Sequence, residues 1–141
     1  MSVPGYRFSS DTAEMDRELI LRWLSEQSYW AKGRTREVND RAMDGSLNLG
    51  MFDTTTGAQV AFARVITDGA TFAWIADVFV DESVRGRGVG IGLMEGIMGI
   101  LEPLQLKRMG LVTADAHGLY AKFGFGPPDH PEWHMSRFRA D

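Results

Sequence analysis

Between Val80 and Gly92 the chain reads Val80-Asp-Glu-Ser-Val-Arg85-Gly-Arg-Gly88-Val-Gly90-Ile-Gly92, with glycines at alternate positions and two arginines among them. Glycine adopts backbone conformations closed to other residues and lets a ligand approach the main chain, so such a stretch can turn several unpaired N–H groups toward one anion. A helix starting within it adds a favourable dipole, and Arg85 and Arg87 add charge. The chemistry these residues suit is phosphate binding. Spacing narrows the ligand. A dinucleotide fingerprint needs G-x-G-x-x-G, but Ile91, Leu93 and Glu95 stand where the third glycine would fall, and no Gly-Lys-Ser/Thr follows to make a nucleotide-hydrolase phosphate loop.

What does fit is Arg85-Gly-Arg-Gly88-Val-Gly90, which resembles the pyrophosphate-binding motif Q/R-x-x-G-x-G/A of the GNAT N-acetyltransferase superfamily. Farther on, Ala116, Tyr120, Gly124 and Phe125, with Leu119 and Phe123 among them, match that family's A-x-x-x-Y-x-x-x-G-F signature. Two motifs in register weigh far more than one, and with the element order the resemblance covers most of the chain. It implies an α/β, GNAT-like acyl-CoA N-acyltransferase fold, a central twisted mixed sheet flanked by helices. It further implies transfer of an acetyl group from acetyl-CoA to a primary amine, by direct attack in a ternary complex. The absence of cysteine fits a route with no acyl-cysteine intermediate.

The resemblance assigns roles. Arg85, Gly86, Arg87, Gly88, Val89, Gly90, Ile91 and Gly92 would cradle the phosphates of coenzyme A, and a backbone N–H of Phe79 or Val80 would receive the developing oxyanion. Thr113 occupies the position seven before Tyr120 that many members fill with Asn, a contact to the cofactor. Tyr120 would protonate the departing thiol, a phenol of pKa about 10 lying near enough to a thiol's about 8.5. Read without the family, Tyr120 is a packing residue beside Leu119 and Phe123.

An attacking amine must lose a proton. Asp77 interrupts an otherwise apolar strand three residues before Val80, and an unpaired buried charge is costly, so it is either the base or a structural carboxylate. Tyr29, Trp30 and Arg34, crowded with Lys32 and Arg36, are the candidate acceptor-binding residues, together with Trp74 and Asp77 of the apolar strand. Aromatic and cationic groups together suit an acceptor carrying a carboxylate or phosphate beside its amine. His117 has the bland reading of an exposed histidine. His130 and His134 have i, i+4 spacing, but Pro131 intervenes and H-E-x-x-H is absent, so no metal site is expected.

These residues need a scaffold. Tyr6 to Phe8 reads as a first strand; Asp11 with Glu14 has capping-box spacing ahead of a helix reaching about Gln27. Thr35 to Asp44 reads as a second helix ended by Gly45. Leu47 to Phe52 and Ala58 to Thr67 form a hairpin about a turn at Asp53 to Gly57, and a turn at Asp68 and Gly69 leads to a central strand, Thr71 to Val80. Val89 to Leu101 is a heavily buried helix; then come a strand at Arg108 to Thr113, a helix at Asp115 to Phe123 ended by Gly124, and a last strand at Trp133 to Phe138.

Composition sets the outer bounds. The 141 residues suit one domain, 1–141, and 44% hydrophobic with 24% charged residues is the balance of a folded globular chain. A net charge of −4 with scattered basic residues disfavours nucleic acid. The start lacks a signal peptide's apolar core and no run is long enough for a membrane span, so the expected setting is cytoplasmic, with no membrane partner. The expected partner is a small-molecule amine, and the expected assembly a monomer or homodimer. Two alternatives stay open: a non-catalytic acyl-CoA-binding regulatory module, and a protein-lysine acetyltransferase.

Overall fold

The computed structural model describes residues 3–139. Where the sequence alternates breakers with apolar runs, five strands form one sheet in chain order: β1 Tyr6–Ser9, β2 Leu47–Asp53, β3 Gln59–Thr67, β4 Phe72–Val80 and β5 Arg108–Gly110. Neighbours from β1 to β4 are antiparallel, and β5 lies parallel to β4. The helices are α1 Arg17–Arg22, which widens into a π turn at Trp23–Gln27, α2 Arg36–Asp44, α3 Val89–Leu101 and α4 His117–Ala121. The mixed sheet flanked by helices is the expected architecture.

The sheet buries both faces, which explains why β4 is almost continuously apolar. On one face α3 sets Leu93, Met94, Ile97 and Leu101 against Met51, Ala61 and Ile75. On the other, Ile20, Trp23, Leu24 and Met43 from α1 and α2 pack on Phe62 and Phe79. Each such side chain, fully buried, contributes about 1.5–3 kcal/mol. Two glycines of α3 leave room for their neighbours: a Cβ on Gly96 would fall 2.3 Å from the Phe8 ring, and one on Gly92 2.6 Å from Val3 Cγ2.

Local structure departs from the sequence reading at several points. Asp11 caps only a single 3-10 turn, Thr12–Glu14, while Asp16 caps α1 by accepting from the Leu19 amide at 3.1 Å. Glu14 does not close a capping box; it pairs with Arg7 at 2.7 Å, a cross-element ion pair that competes for its carboxylate. The helix around Tyr120 is shorter than expected. The strand expected at Trp133 to Phe138 does not form: Pro131–Trp133 is a 3-10 turn, and residues 134–139 are irregular and exposed. Pro127 and Pro128 remove two N–H donors on the approach, and Met135 and Phe138, 95% and 89% exposed, find no core to alternate against.

The departures that matter for function are in β4 and β5. Strand pairing advances two residues on β3, Phe62 to Arg64, against three on β4, Ala76 to Phe79, so β4 carries a bulge. Asp77 sits at it with φ of 56°, in the left-handed region. The partner β5 pairs only with Phe72, Ala73 and Trp74. It ends at Gly110, well short of the expected Thr113, and Leu111 to Ala116 leave the sheet.

Candidate active site

Past Trp74, the outer edge of β4 has no strand beside it, and the gap between β4 and the 111–116 segment is a cleft of about 450 Å³. It brings together Tyr29, Trp30, Arg34, Trp74, Asp77, Thr113 and Tyr120, residues separated by up to 91 positions in the chain. Gly110 makes room for this arrangement, since its Cα faces the Trp74 indole and a Cβ there would lie 3.2 Å from the ring.

The glycine loop lies at the C-terminal end of β4. Gly86 and Gly88 have φ of 82° and 80°, conformations that disfavour side chains, and Gly88 is the N-cap of α3. The first α3 amide bonded within the helix is that of Gly92, to the Gly88 carbonyl at 2.9 Å. The amides of Val89, Gly90 and Ile91 therefore point out of the helix end with no backbone acceptor among the described residues, none of which lies within 4 Å of the Cβ positions of Gly86 and Gly88. Such an arrangement can cradle an anion, and Gly86, Gly88 and exposed Arg87 border it. Arg85 is fixed beside it: its Nε donates to the Val80 carbonyl at 3.0 Å and its guanidinium lies over the Phe79 ring at 5.4 Å.

Gly92 does not belong to the cradle. Its amide is used within the helix, and its Cα faces Val3 and Met51 on the sheet side, so its smallness serves packing.

Phe79 and Val80 part company as oxyanion donors. The Asp81 amide donates to the Val60 carbonyl at 2.8 Å, toward β3. Alternation along the strand then turns the Phe79 amide toward β3 as well, and the Val80 amide toward the open edge. The Val80 carbonyl agrees, since its partner is Arg85 outside the sheet.

Tyr120 is 7% exposed, held on α4 with its ring edge-to-face on Phe125 at 6.4 Å. Its hydroxyl has no hydrogen-bond partner among the described residues. Burial pushes the phenol up to about 12, with the charges of Tyr29 and Asp115 adding to the shift. Thr113 uses its hydroxyl at the start of α4, accepting from the Ala116 amide at 3.1 Å.

Asp77 is fully engaged. Trp30 Nε1 donates to one carboxylate oxygen at 2.9 Å; Arg34 and Arg64 donate to the other at 2.7 and 2.9 Å. Burial pushes its carboxyl up, but the hydrogen bonds and charges of Arg34 and Arg64 outweigh this and hold it below the ordinary carboxylate value. A carboxylate this well stabilised is a poor proton acceptor, and the geometry fits the structural reading of Asp77, not the base. Arg64 escaped the sequence reading. The signal was present: like Asp77, it is a charge inside an apolar strand, and Arg64 pairs in register with Ala76, the neighbour of Asp77. Lys32 points away, to the Glu26 carbonyl, and Arg36 pairs with Glu18 outside the cleft. Among the described residues no group of three or more His, Cys, Asp or Glu could hold a metal, and no helix is long and apolar enough to cross a membrane.

Residues 50–127 match the family model of the acetyltransferase (GNAT) domain, spanning the bulged β4, the glycine loop and Tyr120. This chain belongs to the GNAT acetyltransferase family. A GNAT-family structure from Xanthomonas campestris pv. campestris, a candidate acetyltransferase, superposes with a TM-score of 0.91 at 45% identity, covering 98% of this chain and 96% of the other. A candidate acetyltransferase of Gibberella zeae is 25% identical over 91% of this chain and 82% of its own length. The Mycobacterium tuberculosis protein Rv2747, solved with CoA, shares the fold at a TM-score of 0.71 and 18% identity, covering 89% and 74%. The class of activity is acetyl transfer, and the matched residues 50–127 include the β4 wall of the cleft, the glycine loop beyond it and Tyr120.

Proposed function

We propose that the chain is an acetyl-CoA-dependent N-acetyltransferase acting on a small primary amine. The observation that carries this is a shared neighbourhood: the Tyr120 phenol, unpartnered among the described residues, lines the cleft along the open edge of β4, the Val80 amide turns toward that same edge, and the outward amides of Val89, Gly90 and Ile91 open a helix that touches both elements, a Cβ on Gly90 lying 3.7 Å from Val80 and 3.8 Å from Leu119 of α4. The cradle's shape fits a pyrophosphate: free amides, open space over Gly86 and Gly88, and two arginines flanking it. Binding of CoA by a protein of the same fold supports the same ligand here. Acetyl-CoA, when bound, supplies an activated acetyl thioester.

The chain's own groups then divide the work. Arg87 and the α3 amides hold phosphate oxygens, while Arg85, tied to Val80, keeps the loop closed against the strand end. The Val80 N–H is positioned to hold developing negative charge on a carbonyl oxygen. Tyr120 keeps its proton at Oη through the physiological range. Full transfer from a phenol near 12 to a thiolate of about 8.5 is uphill by several pH units, so Tyr120 acts chiefly by donating a hydrogen bond to the leaving sulfur. Trp30, Arg34 and Trp74 line the acceptor's place, and Asp77 positions Trp30 and Arg34 through its hydrogen bonds.

Calorimetry with acetyl-CoA and thiol release with a panel of primary amines test the proposal. Micromolar binding that Gly88→Glu abolishes, with turnover that falls about 100-fold in Tyr120→Phe, is the expected result. Binding without turnover of any amine would make the chain a coenzyme-binding module instead, and no binding by folded protein would defeat the reading altogether.

A further inference from the structure

The cleft that Tyr120 lines also holds two guanidinium groups against one carboxylate. Arg34 and Arg64 share a single Asp77 oxygen, and their side chains are 17% and 13% exposed. Their other protein bonds are few: Arg34 Nη1 to Asn39 at 3.3 Å and Arg64 Nη1 to Ser46 at 3.1 Å. A guanidinium has five N–H donors, so most remain unspent. None of the guanidinium nitrogens is a buried group without a partner; the unspent donors are therefore in reach of solvent, and both residues line the cleft. One carboxylate cannot neutralise two guanidiniums, so this part of the cleft keeps a positive charge. The cleft's other carboxylate, Asp115, is exposed on the segment leading to α4, near enough to raise the Tyr120 phenol. The charge acting on Tyr120 thus comes from Asp115 and Tyr29 and not from the two arginines, which keep their own excess positive charge.

We infer that Arg34 and Arg64 form an anion-binding subsite, and that the acceptor is a primary amine bearing a carboxylate or phosphate, its anion on the arginines and its amine turned toward Tyr120. Asp77 is a positioning residue that orients both forks. The inference rests on reading this cleft as the acceptor site. A planar fork matches carboxylate and phosphate oxygens in pairs, which lysine cannot do, and the bulge that brings Asp77 between the two arginines is what aligns them.

The test is calorimetric titration of matched amines into the whole protein without acetyl-CoA: ethanolamine against O-phosphoethanolamine, and butylamine against 4-aminobutyrate. The expected result is that at least one charged amine binds about tenfold or more tightly than its uncharged match, which pair shows it telling phosphate from carboxylate. That preference should collapse toward unity in Arg64→Gln and in Arg34→Gln and be partly kept in Arg64→Lys, with circular dichroism confirming the fold. Equal or undetectable binding of both members of each pair overturns the inference, as does a preference that survives both Gln variants. Turnover in the thiol-release assay is scored separately, so a chain that binds charged amines but acetylates none would count against the proposed enzyme and not against the subsite.

Discussion

A non-glycine residue at φ of 56° costs about 1–2 kcal/mol, and Asp77 bears that strain inside a central strand. Its three hydrogen-bonded partners explain why the strain persists: the carboxylate is over-determined by Trp30, Arg34 and Arg64. Asp77→Ala should destabilise the protein by about 3–5 kcal/mol, since it leaves two largely buried guanidiniums without their anion; urea unfolding at neutral pH measures this. The folded carboxyl lies below its unfolded value, so its contribution is present above about pH 4 and is lost as pH falls below it. The stability gap between wild type and Asp77→Asn should therefore narrow on acidification. Tyr120 has the opposite sense. Its folded value, about 12, is above the unfolded value of about 10, so the fold favours the protonated phenol and stability falls as pH rises from about 10 to about 12. Replacing it with Phe should flatten that part of the alkaline limb, read from unfolding midpoints on either side of it.

Glycine does two unrelated jobs along α3, and substitutions separate them. At Gly88 the backbone is left-handed and the Cβ position is open, so a side chain strains the N-cap by about 1 kcal/mol and stands where a phosphate would enter. At Gly96 the conformation is ordinary helix and the Cβ position is occupied by the Phe8 ring. Gly96→Ala should lower stability by about 1–3 kcal/mol through overpacking while the folded fraction binds coenzyme A normally; Gly88→Glu should lose coenzyme binding with a smaller change in melting temperature. Thermal melts and calorimetry on the same samples decide it, and a Gly96 variant that folds well but cannot bind would show that the two jobs are coupled. The β4 bulge is the other element-scale device. It lets a strand buried on both faces shift its register and end beside an open edge, so the Val80 amide is free where a regular ladder with a longer β5 would have paired it.

At the scale of the molecule, two cores hold the sheet, and among the described residues 134–139 belong to neither. The segment from 134 to 139 is exposed throughout, and the final turn before it makes only local bonds, Trp133 to His130 and His134 to Pro131. Deleting 134–139 should shift the melting temperature by less than about 2 °C; a larger, concentration-dependent loss would show that Met135 and Phe138 bury themselves against a second copy. The sequence alone determined the mixed α/β sheet, the buried α3 and the left-handed glycine turn ahead of it. Those follow from local patterns: apolar periodicity, turn residues, and glycines whose spacing needs no distant partner. It marked Asp77 as anomalous, yet could not say whether the charge was paired, because the pairing depends on Arg34 and Arg64, 43 and 13 residues away. The capping box failed for the same reason, Glu14 being drawn to Arg7 on another element. The last strand failed because alternation makes a strand only where a neighbouring edge and a core face await it. Only the tertiary structure decided that β5 stops at Gly110, that the cleft therefore opens along β4 from Trp74 to Val78, and that two guanidiniums line it, since each is a matter of which distant backbone edges and charges meet.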